Sequence, residues 1–505
     1  MELNRRQFVA LGLAGLLMAK GATVLAQGAD SLTIAWPSDV PNWDPNLRFA
    51  PDAQPIYKLV YDQPLDQDVD LNLVPGVISE WEMADDGLSL KLVLRDDVTF
   101  HDGTPMTAED VAYTFMGRRL AGHNIDVNST WGSVETVDIA SPTELTMNFS
   151  RPMTTAPQWL AFLGSYVVSK AYVEEVGEDG LREKPMGTGP YKLVQYDRDS
   201  RIVLEAYDGY WGGVAPIKSV TIQIVKDPSA RLAAIQSGQV DLTIALPVRD
   251  TQRLEKTPGV TAKLLPITRI ILLMVNSDKA LTDDNLRLAL SHAVNKDALS
   301  RAFYGGAAVP IDVAASPGTP GYVEDYDFAF DPELAKELLA KSGYGPDNPA
   351  KITFATTNGQ FPSDYDIARA LVQMWGQVGI EAELEVIEYA KYFELTRAGQ
   401  LPDLTLYSWD NATGDPEIYA GYLLNPNMPF SPWKTGEIPQ RVTELFGMTD
   451  YDARIEAYKQ LVMDATDQGV TMPLLQSVLT VAYRDSLEVP EYKNGWILAN
   501  KITRS

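Results

Sequence analysis

Residues 79–111 read SEWEMADDGLSLKLVLRDDVTFHDGTPMTAEDV, and the fold turns on how this stretch divides. Residues 88–94 alternate apolar with polar side chains, the period of a strand with one face in a core. Arg95-Asp96-Asp97 then reads as a turn into Val98-Thr99-Phe100, a hairpin pattern. Thr107 suits a helix cap, with Glu109 and Asp110 in the positive first turn, and predicts a helix over 107–120.

Outward from this stretch, strand-like and helix-like segments alternate. Leu32-Thr33-Ile34-Ala35-Trp36 is a short strand ending at Pro37, and 134–149 reads as paired strands around Ser141-Pro142. After a strand at 220–225, Asp227-Pro228 opens a helix that stops at Gly238, followed by Val240-Asp241-Leu242. Residues 270–275 form a continuous apolar strand with Arg269 at its entrance, and 281–303 reads as one helix. Asp331-Pro332 starts a helix that stops at Gly343. A helix over 364–378 puts Ile367, Leu371, Met374 and Trp375 on one stripe and ends at Gly379. Strands at 352–356, 380–387, 404–409 and 474–483 complete the pattern, which predicts mixed α/β lobes.

At roughly 100–200 residues per domain, 505 residues predict two to four domains. A net charge of −26 argues against nucleic acid, whose binders need a basic face, and against anionic lipid. With no cysteine, disulfides, thiolate metal sites, cysteine nucleophiles and a lipidated N-terminal cysteine are excluded. Residues 1–26 read as an export signal: Arg5 and Arg6, an apolar stretch over 8–18, and a cut after Ala26 in Val24-Leu25-Ala26. Asn4-Arg5-Arg6-Gln7-Phe8-Val9 resembles the twin-arginine motif, with an ordinary Sec signal as the alternative. No second apolar run approaches a membrane span of about 18 residues, so an unanchored periplasmic protein is expected.

Catalytic motifs are scarce. His101, His123 and His292 form no H-E-x-x-H pattern, and no G-x-S-x-G elbow exists. Ser431-Pro432-Trp433-Lys434 and Lys434-Thr435-Gly436 match S-x-x-K and K-T-G only by sharing one lysine, a chance match. Gly187-Thr188-Gly189-Pro190 starts like a phosphate loop, but Pro190 lacks the needed N–H; a turn into a strand is the better reading. Asp66, Asp68 and Asp70 mimic a calcium loop, yet Leu71 stands in place of its glycine and Val77 in place of its glutamate. An exported hydrolase using Asp and Glu as acid and base is the alternative that 68 acids leave open. The chain is rich in Trp (10) and Tyr (23), whose flat faces with one polar handle suit clefts for polar ligands.

The ordered run Trp81, Asp86-Gly87-Leu88, Leu94-Arg95, Phe100-His101-Asp102-Gly103-Thr104-Pro105 and Thr107-Ala108-Glu109-Asp110-Val111 closely resembles the signature of the family 5 extracellular solute-binding proteins. These are the dipeptide-, oligopeptide- and nickel-binding components of ABC importers. Further matches follow in the family's order. They are Gly187-Thr188-Gly189-Pro190-Tyr191, Tyr210-Trp211, Ser237-Gly238-Gln239-Val240-Asp241-Leu242, the 331–344 helix and Trp409 to Pro416. The resemblance implies an α/β, two-lobed periplasmic-binding-protein fold with two hinge crossovers and an extra subdomain in the first lobe. The crossovers fall at 270–275 and 474–483. Lobe I is expected to comprise 27–67, 164–267 and 478–505, its subdomain 68–163, and lobe II 268–477. His101 and Asp102 become scaffold residues.

The implied activity is capture of a peptide or peptide-like solute by hinge closure, with ABC permease and ATPase subunits as partners, a monomeric state, no cofactor and no catalysis. Dipeptide binders of the family use an Asp three residues after the contact-loop tryptophan, here Ala412, and an Arg in a strand-to-helix loop, here Asn358-Gly359-Gln360-Phe361-Pro362. Both anchors are missing, and a buried charge without its partner is costly. Asp410 and Arg269 are the candidate substitutes. The expected ligand-binding residues are Trp409, Tyr407, Asn411, Asp410, Asp415, Trp36 and Arg269, with Asp415 more often structural in the resemblance. Opines, oligosaccharides and glutathione-like conjugates are alternatives to peptides. Nickel is disfavoured because no histidine lies near the contact loop.

Overall fold

Two long antiparallel strands, Val260–Val275 and Thr471–Arg484, run side by side through the whole molecule. The structure is a computed structural model and describes residues 30–505 except 49, 124, 126, 163, 278, 429 and 430. The expected export signal lies outside the described residues. The two strands are the centre of a ten-stranded sheet. On one side lie Leu242–Ile244, Ser31–Trp36, Ser219–Ile224, Arg201–Ala206 and Tyr191–Asp197, in that order; on the other lie Leu404–Trp409, Ala350–Thr356 and Ile380–Val386.

The ladder between the long strands shifts register twice, and the wider break comes first along Val260–Val275. Pro266 pairs with Val478 and Ile270 with Gln476, so three residues on one strand face only Ser477 on the other. Such a bulge bends and twists the ladder. It divides the sheet into two lobes, each with its own apolar core. These strands extend the expected crossovers: 270–275 lengthens at its start to 260–275, and 474–483 at both ends to 471–484.

The quoted stretch builds a separate four-stranded antiparallel sheet, in the order Ile78–Met83, Ser89–Leu94, Glu144–Phe149, Val134–Ser141. Leu90, Leu92, Leu94, Leu145, Met147 and Phe149 are all buried on one face, as period two demands. The expected hairpin between 88–94 and 98–100 does not form: Ser89–Leu94 pairs with Ile78–Met83 instead. Phe100 N–H donates to Thr104 O, and Asp102 Oδ1 accepts from Thr104 N at 2.9 Å, folding 100–104 into a tight loop. His101 lies behind it, its Nε2 3.0 Å from Gly189 O, and burial pushes its pKa down to about 4. His101 and Asp102 are therefore scaffold.

The helix expected at 107–120 begins with a capping box, in which Asp110 Oδ2 accepts from Thr107 N at 2.9 Å, and passes through a widened turn at Tyr113–Gly117. The helix expected at 281–303 is two helices, Asp284–His292 and Lys296–Tyr304. Asn295 caps the second by accepting from Ala298 N at 2.8 Å, which breaks the run. The Asp66–Asp70 loop is closed by its own backbone: Asp68 accepts from the N–H groups of Asp70 and Asn72, and Leu71 adopts φ 70°. No helix among the described residues is long and apolar enough to cross a membrane.

Candidate functional site

Strand direction brings the site together at the bulge. In lobe I, Ser31–Trp36 runs parallel to Leu242–Ile244, and Ile244 pairs with Val481, three residues past Val478. The C-terminal ends of both strands therefore approach the bulge. In lobe II, Leu404–Trp409 ends with Trp409 opposite Ile270, and Ala350–Thr356 runs parallel to it. Chain leaving the carboxyl ends of strands is where open α/β sheets place ligands.

Arg269 stands at the bulge itself. Its guanidinium lies 3.2 Å from Asp52 of lobe I and 3.4 Å from Asp410 of lobe II, one hinge cation between two carboxylates. Burial pushes the Asp410 carboxyl above the ordinary range, with Arg269 opposing and Asp52 adding to the rise. Asp410 Oδ1 is buried and has no hydrogen-bond partner among the described residues. The same holds for Asn411 Oδ1, Ser408 Oγ, Trp36 Nε1, Thr268 Oγ1, Thr356 Oγ1 and Gln360 Oε1. All lie at the bulge or at the carboxyl ends of the strands that approach it. Buried polar atoms in folded proteins are mostly paired, and in this chain others, such as Trp43 Nε1, Gln63 Oε1 and Tyr458 OH, are also unpartnered among the described residues.

Of the other expected residues, Tyr407 and Asp415 stand behind this surface, and Trp36 and Trp409 are packed into it. Tyr407 is 6% exposed and stacks on Tyr392 with ring centroids 4.6 Å apart. Asp415 is bound by Arg454, whose Nη1 and Nη2 lie 3.1 and 2.6 Å from its two oxygens. It serves to hold the loop, as such bidentate pairs do. Trp36 is buried among lobe I side chains. Trp409 is half-buried, donates from Nε1 to Ile418 O at 3.2 Å, and touches both the lobe II core and the subdomain core.

Ala412, the position of the dipeptide acid, is fully buried within the subdomain's apolar cluster. A carboxylate there would be costly to keep ionised among apolar side chains. Sequence reasoning missed Asp52, which sits in the short turn Pro51–Ala53 and carries no motif. Nor did it foresee the contacts between lobe II and the subdomain: Tyr422 OH lies 3.0 Å from Thr130 Oγ1, and Thr155 Oγ1 donates to Glu417 Oε1 at 2.8 Å. Pairings of this kind arise between residues remote in sequence, which local patterns do not encode.

Comparison with known proteins gives one consistent result. Residues 72–428 match the family described as bacterial extracellular solute-binding proteins, family 5 Middle. A dipeptide-binding protein of Escherichia coli is 26% identical over 436 residues, 81% of each chain. A heme-binding protein A of Haemophilus influenzae is 28% identical over 441 residues, covering 81% of this chain and 79% of its own. In structure, an ABC-transporter-associated periplasmic binding protein of Helicobacter pylori, in complex with the peptide STSA, superposes with a TM-score of 0.82 at 21% identity. That match covers 94% of this chain and 98% of the other.

Proposed function

Since the chain belongs to the bacterial extracellular solute-binding proteins of family 5, we propose that its lobes capture a polar organic solute, of the peptide class or similar to it, and present it to an ABC permease. The observation that carries this reading is the set of unpartnered buried polar atoms at the strand ends around the bulge. Left unmet, each costs free energy; a polar solute that pairs with them from both lobes favours the closed arrangement by its differential affinity. The role is binding, without bond-making chemistry. Trp409, Asp410, Asn411, Trp36 and Arg269 line the cleft in this reading, while Tyr407 and Asp415 support it from behind. The lobes divide at the bulge, with 268–477 as lobe II. Delivery to the periplasm through the twin-arginine signal at 1–26 belongs to the same proposal.

Calorimetric and thermal-shift titration with peptide mixtures, with sugars as the contrast, tests it. A ligand that binds only the folded state must raise Tm. Trp409→Ala should weaken binding about tenfold or more, as loss of an aromatic anchor does, with the circular dichroism spectrum kept. No stabilisation by any peptide or sugar, or hydrolysis of one by the pure protein, overturns the proposal.

A further inference from the structure

A second cavity lies at the pole of lobe II away from the bulge. It measures about 420 Å³, within the size range of small-molecule sites. Strand register fixes its distance from the cleft. Ile270 stands at the bulge and Val275 ends the strand, about 17 Å further along at about 3.4 Å per residue. Ser277, just past that end, and Gln468, just before the return strand, both line the cavity, and no residue assigned to the cleft does. Arg287 and Trp433 are its buried wall, 5% and 7% exposed, with the guanidinium 4.8 Å from the indole ring centroid. Three acceptors fix that guanidinium: Gln468 O at 3.0 Å from Nε, Leu281 O at 2.9 Å from Nη1 and Asp284 Oδ1 at 2.7 Å from Nη2. Arginine carries five N–H donors, so these bonds leave two. Asp284 and Asp467 line the rim with Thr282 and Thr435, all four exposed.

The charges of this lining decide the class of ligand. An anion set against Arg287 would sit beside Asp284, and a cation set against Asp284 would sit beside Arg287. A hydroxyl meets no such conflict, because one oxygen both donates and accepts. It donates to a carboxylate oxygen and accepts from a guanidinium N–H. The Arg287–Asp284 pair holds a donor and an acceptor side by side, which two neighbouring hydroxyls of one molecule can match together. Trp433 and Leu288 supply the apolar surface that the C–H side of such a molecule needs. We propose that the cavity is a second binding site, separate from the cleft, for a neutral saccharide of one or two rings. Adjacent hydroxyls engage Arg287 and Asp284, and the apolar side of the ring faces Trp433. The site does not depend on what the cleft captures.

The test titrates the full mature chain with glucose, galactose, N-acetylglucosamine and maltose, read by calorimetry and saturation-transfer NMR. Inorganic phosphate and putrescine are the charged contrasts. At least one saccharide should bind. Thr435→Trp places a large side chain at the exposed rim, and it should abolish that signal while leaving peptide binding in the cleft unchanged. Asp284→Ala, also at an exposed position, should weaken the saccharide about tenfold or more, as loss of a hydrogen bond to a charged group does, and it carries the test if the first variant does not fold. Trp409→Ala, in the cleft, should leave saccharide affinity as it was. Silence from all four saccharides overturns the second site, as does a saccharide signal that survives both rim variants or that Trp409→Ala removes. Phosphate or putrescine binding that Thr435→Trp abolishes, with the saccharides silent, overturns it as well. Solute capture is decided separately, by the peptide titrations.

Discussion

Asp62 gathers three donors on one carboxylate: Trp211 Nε1 at 2.9 Å, Thr188 Oγ1 at 3.0 Å and Tyr210 OH at 3.1 Å. It thereby ties the Tyr210-Trp211 segment to the turn at Thr188. Burial outweighs these bonds and pushes its pKa up to about 6. Glu417 behaves alike. Burial, then the charge of Asp415, raises it to about 7 against the pull of Arg454 and Thr155. Both groups hold their proton more tightly folded than unfolded, where carboxyls titrate near about 4. Their stabilisation is complete below that value and is lost as pH rises through about 6 for Asp62 and about 7 for Glu417. Calorimetric Tm should therefore fall from pH 5 to pH 8 at fixed ionic strength, and Asp62→Asn with Glu417→Gln should flatten the slope. A Tm that climbs over that interval would contradict the assignment.

Among the elements, the turn at 187–190 shows why a motif needs its residue types. A Cβ on Gly187 would lie 2.0 Å from Val60 O, and one on Gly189 would lie 2.5 Å from Val60 C. Backbone meets backbone there, and Gly189 N donates to Val60 O at 3.0 Å. The atoms cannot yield as a flexible side chain would, so Gly189→Ala should destabilise by about 3 kcal/mol or more in urea unfolding, at the upper end of overpacking costs. Loss below about 0.5 kcal/mol would show that the turn moves aside without strain. The two glycines were visible in the sequence, but their contact with Val60 was not. Period-two strands such as Ser89–Leu94, and helices ended by Gly238 and Gly379, were legible because the signal is local. The break at Asn295 was not, since the apolar spacing of 281–303 continues through it while one side-chain cap decides the outcome. The hairpin after Leu94 failed for a related reason: alternation identifies a strand but not its partner.

At the scale of the whole molecule, the lobes meet through side chains as well as through the hinge. Tyr422 OH and Thr130 Oγ1 are 3.0 Å apart, Tyr422 and Trp159 rings are 5.6 Å apart, and Thr155 donates to Glu417. Each hydrogen bond is worth about 0.5–1.5 kcal/mol, enough to bias an open–closed equilibrium. Tyr422→Phe combined with Thr155→Ala should enlarge the ligand-free radius of gyration in small-angle scattering and weaken solute affinity several-fold. Unchanged scattering and affinity would mean that these contacts are incidental. The candidate site was legible in part: the sequence singles out Arg269, Trp409, Asp410 and Asn411, and these stand near one another at the bulge, while their role as ligand contacts belongs to the proposal. Asp52 comes from a lobe I segment that nothing local connects to them. The bulge carries one more implication. Pro266 and Val478 are paired neighbours, so in the proposed division at the bulge the chain departs lobe I and returns to it at a single doorway. Everything between is one uninterrupted loop-out, and a tight turn joining those two residues would close the remaining strands on themselves. An architecture of this kind lets one half be exchanged for another without rethreading its host.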